Sequence, residues 1–148
     1  MKYLYRLAFN VLLLSIYVHL PVKAQDMSLT IIANNKGAPP EMKLAQLKST
    51  MKGEKLRWPD GTKVVIALLK STTLIGTNTS KKIYNMSSNE LNKYWLALVF
   101  QGKADAPNFF TSESDLEEFV SQTAGAIGVV NHPSASNKVI LIDGQKSL

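Results

Sequence analysis

Apolar and polar positions along the chain alternate between two rhythms, and the rhythms sort it into elements. "LTIIANN" (Leu29 to Asn35) is a short apolar run closed by the breaker cluster "KGAPP", the pattern of a buried strand. Pro40 and Glu41 then open a predicted helix, because proline has no amide to leave unpaired and the acid meets the helix dipole. Leu44, Leu47 and Met51 follow on one face at helical spacing. "WPDGT" is a turn in which Asp60-Gly61 supplies the positive φ of a reversal. "KVVIALL" (Lys63 to Leu69) is the clearest strand, and its unbroken apolar character predicts burial on both faces, as in a sheet covered by helices.

The second half repeats the alternation with readable helix starts. Ser87 stands three residues before Glu90, a capping box, with Met86 and Leu91 at the positions of a hydrophobic staple. In "NELNKYWLALVF" the residues Leu91, Trp95, Leu98 and Val99 form one apolar stripe, so Trp95 is read as core. Gly102 is the expected left-handed cap, with Pro107 beyond it. "TSESDLEEFVSQ" is a further helix, with Ser114 and Glu117 as its capping box and Leu116, Phe119 and Val120 facing inward. Asp115, Glu117 and Glu118 complement that helix's dipole rather than form a catalytic pair. "GAIGVV", entered through Gly125, and "KVILI" (Lys138 to Ile142) are strands. Strands alternating with helices predict an α/β fold with a mostly parallel mixed sheet of about five strands flanked by helices.

The chain's beginning belongs to a different pattern. Lys2 and Arg6 precede an apolar run from Leu7 to Leu20, and "VKA" before Gln25 has small residues where a signal peptidase reads. Residues 1–24 are therefore predicted to be a cleaved signal peptide, with 25–148 a single domain in the periplasm and no membrane span after cleavage. Loss of Lys2, Arg6 and Lys23 takes the formal charge from +6 to +3. The remaining lysines are scattered without interleaved aromatics, which argues against nucleic acid as a partner. With no cysteine there is no disulfide framework, so an ordinary packed core must carry stability.

Chemistry-bearing residues are few. Without cysteine, with one histidine (His132) after the predicted signal, and with no G-x-S-x-G, no nucleophile, base and acid set is visible, and neither an enzyme nor a metal or other cofactor is expected. The richest stretch is "LRWPDGTKVVIALLKSTTLIGTN" (Leu56 to Asn78), where a strand delivers Ser71, Thr72, Thr73, Gly76, Thr77 and Asn78 to a predicted helix start. Backbone N–H groups and hydroxyls at such a start suit an anion, because unpaired amides and the dipole both favour negative charge.

The order "RWPDGTKV", "ELNKYWLALVFQGKADAP", "SESDLEEFVSQTAGAIGVV" resembles the phosphate-type periplasmic substrate-binding proteins, and more narrowly their short single-lobe relatives, from about Leu29 to Val130. The resemblance implies one lobe of a type 2 periplasmic-binding-protein fold and inorganic phosphate or a similar oxyanion as ligand, linked to phosphate uptake or sensing. The family's R-x-x-x-S-G-T pattern falls on "STTLIGT": Gly76 and Thr77 match, Ile75 replaces the serine and Ser71 the arginine. Adjacent Lys70 is a point charge and does not reproduce an arginine fork. Val129 replaces the family's tyrosine after the second glycine of "GAIG". The scaffold signature is thus fuller than the ligand signature. Phosphate binding is expected to be weak unless a second copy or a periplasmic protein partner completes the cleft. The alternative is a structural or interaction module that reuses the lobe without a ligand.

Overall fold

A computed structural model describes residues 27–148; the predicted signal peptide lies outside the described residues. A six-stranded sheet runs in the order β2-β6-β1-β5-β3-β4. Its strands are β1 (Thr30–Ala33), β2 (Glu41–Met42), β3 (Val65–Leu69), β4 (Asn108–Phe110), β5 (Ala126–Val130) and β6 (Lys138–Ile142). The helices are α1 (Leu44–Met51), α2 (Leu74–Thr79) running on into a π-helical turn (Ser80–Tyr84), α3 (Ser88–Phe100) and α4 (Glu113–Gln122). β3 pairs in parallel with β4 and β5, and β2 with β6, while β1 is antiparallel to both its neighbours. The mixed α/β expectation holds, with the sheet one strand larger than expected.

The two strands with no counterpart among the apolar runs of the sequence, β2 and β4, are short pieces at the two edges of the sheet. Glu41 and Met42 pair with Leu141 and Ile142 instead of opening a helix. The helix starts later than expected, at Leu44, where Lys43 N–H donates to Gln46 Oε1 (2.9 Å). Pairing with β6 satisfies backbone groups that the helix's first turn would leave open, so a tertiary partner overrides the local proline signal. At the other edge, Asn108 to Phe110 pairs with Ala67 to Leu69.

The crossover from β3 to β4 and the one from β4 back to β5 move in opposite directions across the sheet. Right-handed connections therefore put their helices on opposite faces. α4 lies over β5, β3, β1 and β4. It comes close because Gly128 has no side chain: a Cβ there would sit 2.7 Å from Leu116 Cδ2. This is why β3 and β5 are apolar without alternation. Ile66 to Leu69 and all of β5 are buried.

On the other side the π turn is the hub on which α1, α2 and α3 pack. Trp95 is 3% exposed there, edge-on to Tyr84 and Tyr94 at ring separations of 6.4 and 5.6 Å. The Tyr84 and Tyr94 hydroxyls donate to the carbonyls of Met51 and Lys52 (both 2.7 Å), which fastens the end of α1. Burial pushes both phenols above the ordinary tyrosine range. Leu91 is buried and Leu98 partly so, but Val99 is not on the buried stripe: it is 42% exposed.

The capping box before α3 forms as read. Glu90 N–H donates to Ser87 Oγ, and Ser87 N–H donates to the Glu90 carboxylate (2.7 Å), which holds that carboxyl below its usual range. The box expected at Ser114 and Glu117 does not form. Ser112 is the cap, accepting from Asp115 N–H, and the helix begins at Glu113. Ser112 follows two residues after β4 ends at Phe110, and that strand was not legible in the sequence. The "WPDGT" turn closes with Gly61 at φ 87° and a Trp58 N–H bond to Thr62 O (2.8 Å).

Candidate functional site

β3 and β4 are parallel neighbours whose onward connections leave on opposite faces. In an open α/β sheet the crevice for a ligand lies outside the carboxyl ends of such a pair. Lys70 to Thr73 follow β3 at that place, and Thr111 to Ser112 follow β4 beside them. The two ends are tied together by Lys70 N–H donating to Phe110 O (2.8 Å). The stretch singled out in the sequence thus stands at the topological switch of the sheet.

Within it, the residues divide into those turned inward and those left open. Thr73 is the α2 cap: its hydroxyl accepts from Gly76 N–H (3.0 Å) and donates to Lys70 O (2.8 Å). The Thr77 hydroxyl lies within reach of the carbonyls of Ser71 (3.0 Å) and Thr73 (3.1 Å). Gly76 is buried where a Cβ would collide with the carbonyl oxygens of Lys70 and Leu69, so close packing of α2 on the end of β3 requires it. Asn78 turns its amide toward Met27 Sδ (3.6 Å). Among the described residues, the hydroxyls of Ser71 and Thr72 and the N–H groups of Leu74 and Ile75 have no protein hydrogen-bond partner. With the N–H groups of Ser71 and Thr72, which have no partner among the described residues either, these groups are free to face a ligand.

The surrounding charge is mixed. Lys70 is exposed at the mouth, but the first turn of α4 carries Glu113 and Asp115. Glu113 accepts from the N–H groups of Asn131 (2.7 Å) and His132 (3.3 Å), so a carboxylate of the chain already occupies the amides at the end of β5. Glu117, expected to complement the helix dipole, is buried in the second turn. It accepts from Ser134 N–H (3.1 Å) and Asn137 Nδ2 (2.9 Å), clamping the loop that holds His132. Among the described residues no cluster of His, Asp and Glu is arranged to hold a metal, and no helix is long and apolar enough to cross a membrane. Trp58, beside the turn, is a packing residue: it is 6% exposed and its indole N–H donates to Gly125 O (2.9 Å).

No protein-family model matches the chain, and no curated protein matches it. Solved structures do. An ABC-type phosphate transport receptor from Vibrio cholerae aligns with TM-score 0.64 at 14% identity, over 80% of this chain and 48% of that one. A Clostridium perfringens structure described as a phosphate ABC transporter substrate-binding protein with bound phosphate aligns with TM-score 0.62 at 12% identity, over 81% of this chain and 46% of that one. PstS from Borrelia burgdorferi gives 0.60 at 14% identity, over 80% and 48%. The fold is therefore that of a single lobe of the phosphate-binding proteins, and the chain spans about half the length of the structures it matches.

Proposed function

We propose that this chain is an exported, non-catalytic oxyanion-binding lobe that holds phosphate weakly at the carboxyl end of β3. The observation that carries the reading is the placement of open groups. Ser71 and Thr72 hydroxyls and the Leu74 and Ile75 amides lie where the β3 and β4 connections diverge, in a fold shared with phosphate-binding proteins. A phosphate there would receive hydroxyl and amide donors at the positive end of α2, with Lys70 nearby.

The affinity should be low for three reasons. An exposed anion keeps much of its water, so each hydrogen bond gains little over hydration. No arginine fixes its orientation through paired bonds. Glu113 and Asp115 across the crevice oppose a second negative charge. A dissociation constant on the order of 1 mM, about −4 kcal/mol, is expected for the isolated chain. Tight binding would need a second copy or a protein partner to close the cleft. Amide NMR during a phosphate titration, with sulfate as control, reads this directly. Saturating shifts confined to Ser71–Asn78 support the site. Their absence leaves the alternative, a lobe reused without a ligand, which the inward-turned Thr73 and Thr77 hydroxyls favour.

Export follows the basic start, apolar run and "VKA" of the first 24 residues, placing the mature chain in the periplasm. Intact mass spectrometry of the protein from a periplasmic fraction should give a chain beginning at Gln25. Recovery with Met1 in the membrane fraction would overturn it.

A further inference from the structure

The opposite end of β3, β4 and β5, where these strands begin, carries an inference independent of the phosphate reading. β4 pairs with β3 only from Ala67 onward, so the first residues of β3 have no strand on that side. The gap is a groove of about 550 Å³ walled by Leu56, Val64 and Val99 and rimmed by Lys55 and Lys103. Its apolar wall continues onto the surface. Leu96, Val99 and Phe100, at i, i+3 and i+4 on α3, form one ridge and are 59%, 42% and 84% exposed. Leu56 faces the same groove and is 53% exposed. Single exposed apolar residues are ordinary, but Leu56 and Val99 in the groove, with Leu96 and Phe100 beside Val99 on the α3 surface, make an apolar patch of the kind that marks an interaction site.

Charge decides what kind of partner fits. The only ion pair among the described residues is Lys63 with Asp105, at the rim of this groove. Among the described residues, Lys55 and Lys103 have no carboxylate partner beside the apolar wall. A symmetric pairing of two copies through this face would bring like charges together, since each patch meets itself. A bilayer is flat and would leave the groove unfilled. We propose that the groove docks an acidic amphipathic segment of a partner protein, with its apolar side chains against Leu56, Val99 and Phe100 and its carboxylates at Lys55 and Lys103. Helix-in-groove recognition uses this combination of spaced apolar anchors and a charged rim.

The test uses a fluorescent synthetic peptide with leucine and phenylalanine at helical spacing and glutamate elsewhere. Its comparators are a scramble of the same composition and the same pattern with lysine for glutamate. Fluorescence anisotropy with the purified protein should show the acidic amphipathic peptide binding at least tenfold more tightly than either comparator. Phe100→Ser should weaken it at least tenfold, and the double variant Lys55→Glu, Lys103→Glu should shift the preference to the lysine peptide. These are exposed positions, so the melting temperature should not move. Equal binding of the acidic peptide and its scramble, or no binding, overturns the proposal. So does sedimentation showing a dimer that Phe100→Ser abolishes, or binding to phosphatidylglycerol vesicles that Phe100→Ser abolishes while the peptide does not bind.

Discussion

Trp95→Ala is expected to remove about 3–5 kcal/mol of folding stability, the range for truncating a large buried aromatic. The indole is 3% exposed and fills the junction where the π turn, α3 and the end of α1 meet, against Tyr84, Tyr94 and the backbone at Gly53. A domain of this size has about 5–15 kcal/mol in total, so the variant should sit close to unfolding at ordinary temperature. Trp95→Phe separates volume from polarity. Among the described residues the buried Trp95 indole N–H has no hydrogen-bond partner, so removing it forfeits no bond there. The phenylalanine variant should therefore cost about 1–2 kcal/mol, mostly for lost volume. Urea denaturation measures both. A loss below about 1 kcal/mol for Trp95→Ala would mean the junction is not part of the cooperative core.

Gly125→Ala should be nearly as damaging, by about 2–5 kcal/mol. Gly125 has φ of 77°, a left-handed conformation that costs a residue with a Cβ about 1–2 kcal/mol. The added methyl would also collide with the Lys63 carbonyl oxygen and stand 2.8 Å from Thr62 Cγ2, and overpacking of that kind costs about 1–3 kcal/mol more. The same residue's carbonyl accepts the Trp58 indole N–H and the Val65 N–H, so a shift of its backbone loosens the turn and the start of β3 together. Gly61→Ala is the control. Its φ is 87° but an added Cβ meets nothing within 4 Å, so only the strain term of about 1 kcal/mol applies. Equal losses for the two variants in a denaturation curve would show that the collision is relieved elsewhere. Faster hydrogen exchange of the Trp58 indole in Gly125→Ala would locate the damage at the turn.

The candidate site was legible only to the level of its address. The run of Ser71, Thr72 and Thr73 after an apolar strand pointed to a helix start, and Thr73 does cap α2. Which hydroxyls stay open depends on where the carbonyls of Lys70, Ser71 and Thr73 turn, and those absorb Thr73 and Thr77. Glu113 drew no attention in the sequence because its partners, Asn131 and His132, are 18 and 19 residues away. The lysine-rimmed groove was equally hidden, since Lys55 and Lys103 come from segments far apart in the chain.

What the sequence determined by itself is everything set by near neighbours. Apolar runs marked β3 and β5, helical spacing marked α3 and α4, Ser87 with Glu90 marked a helix start, and Asp60-Gly61 marked a turn. Each of these rests on contacts within a few residues, where propensity and periodicity act directly. The tertiary structure decided what depends on partners distant in the chain. Glu41 and Met42 became a strand because β6 was there to pair with, and Ser112 rather than Ser114 became the cap because β4 ends on β3. Val99 left the buried stripe for the same reason. A helix's pattern says that one face is covered, but only the elements packed around it decide how wide that face is.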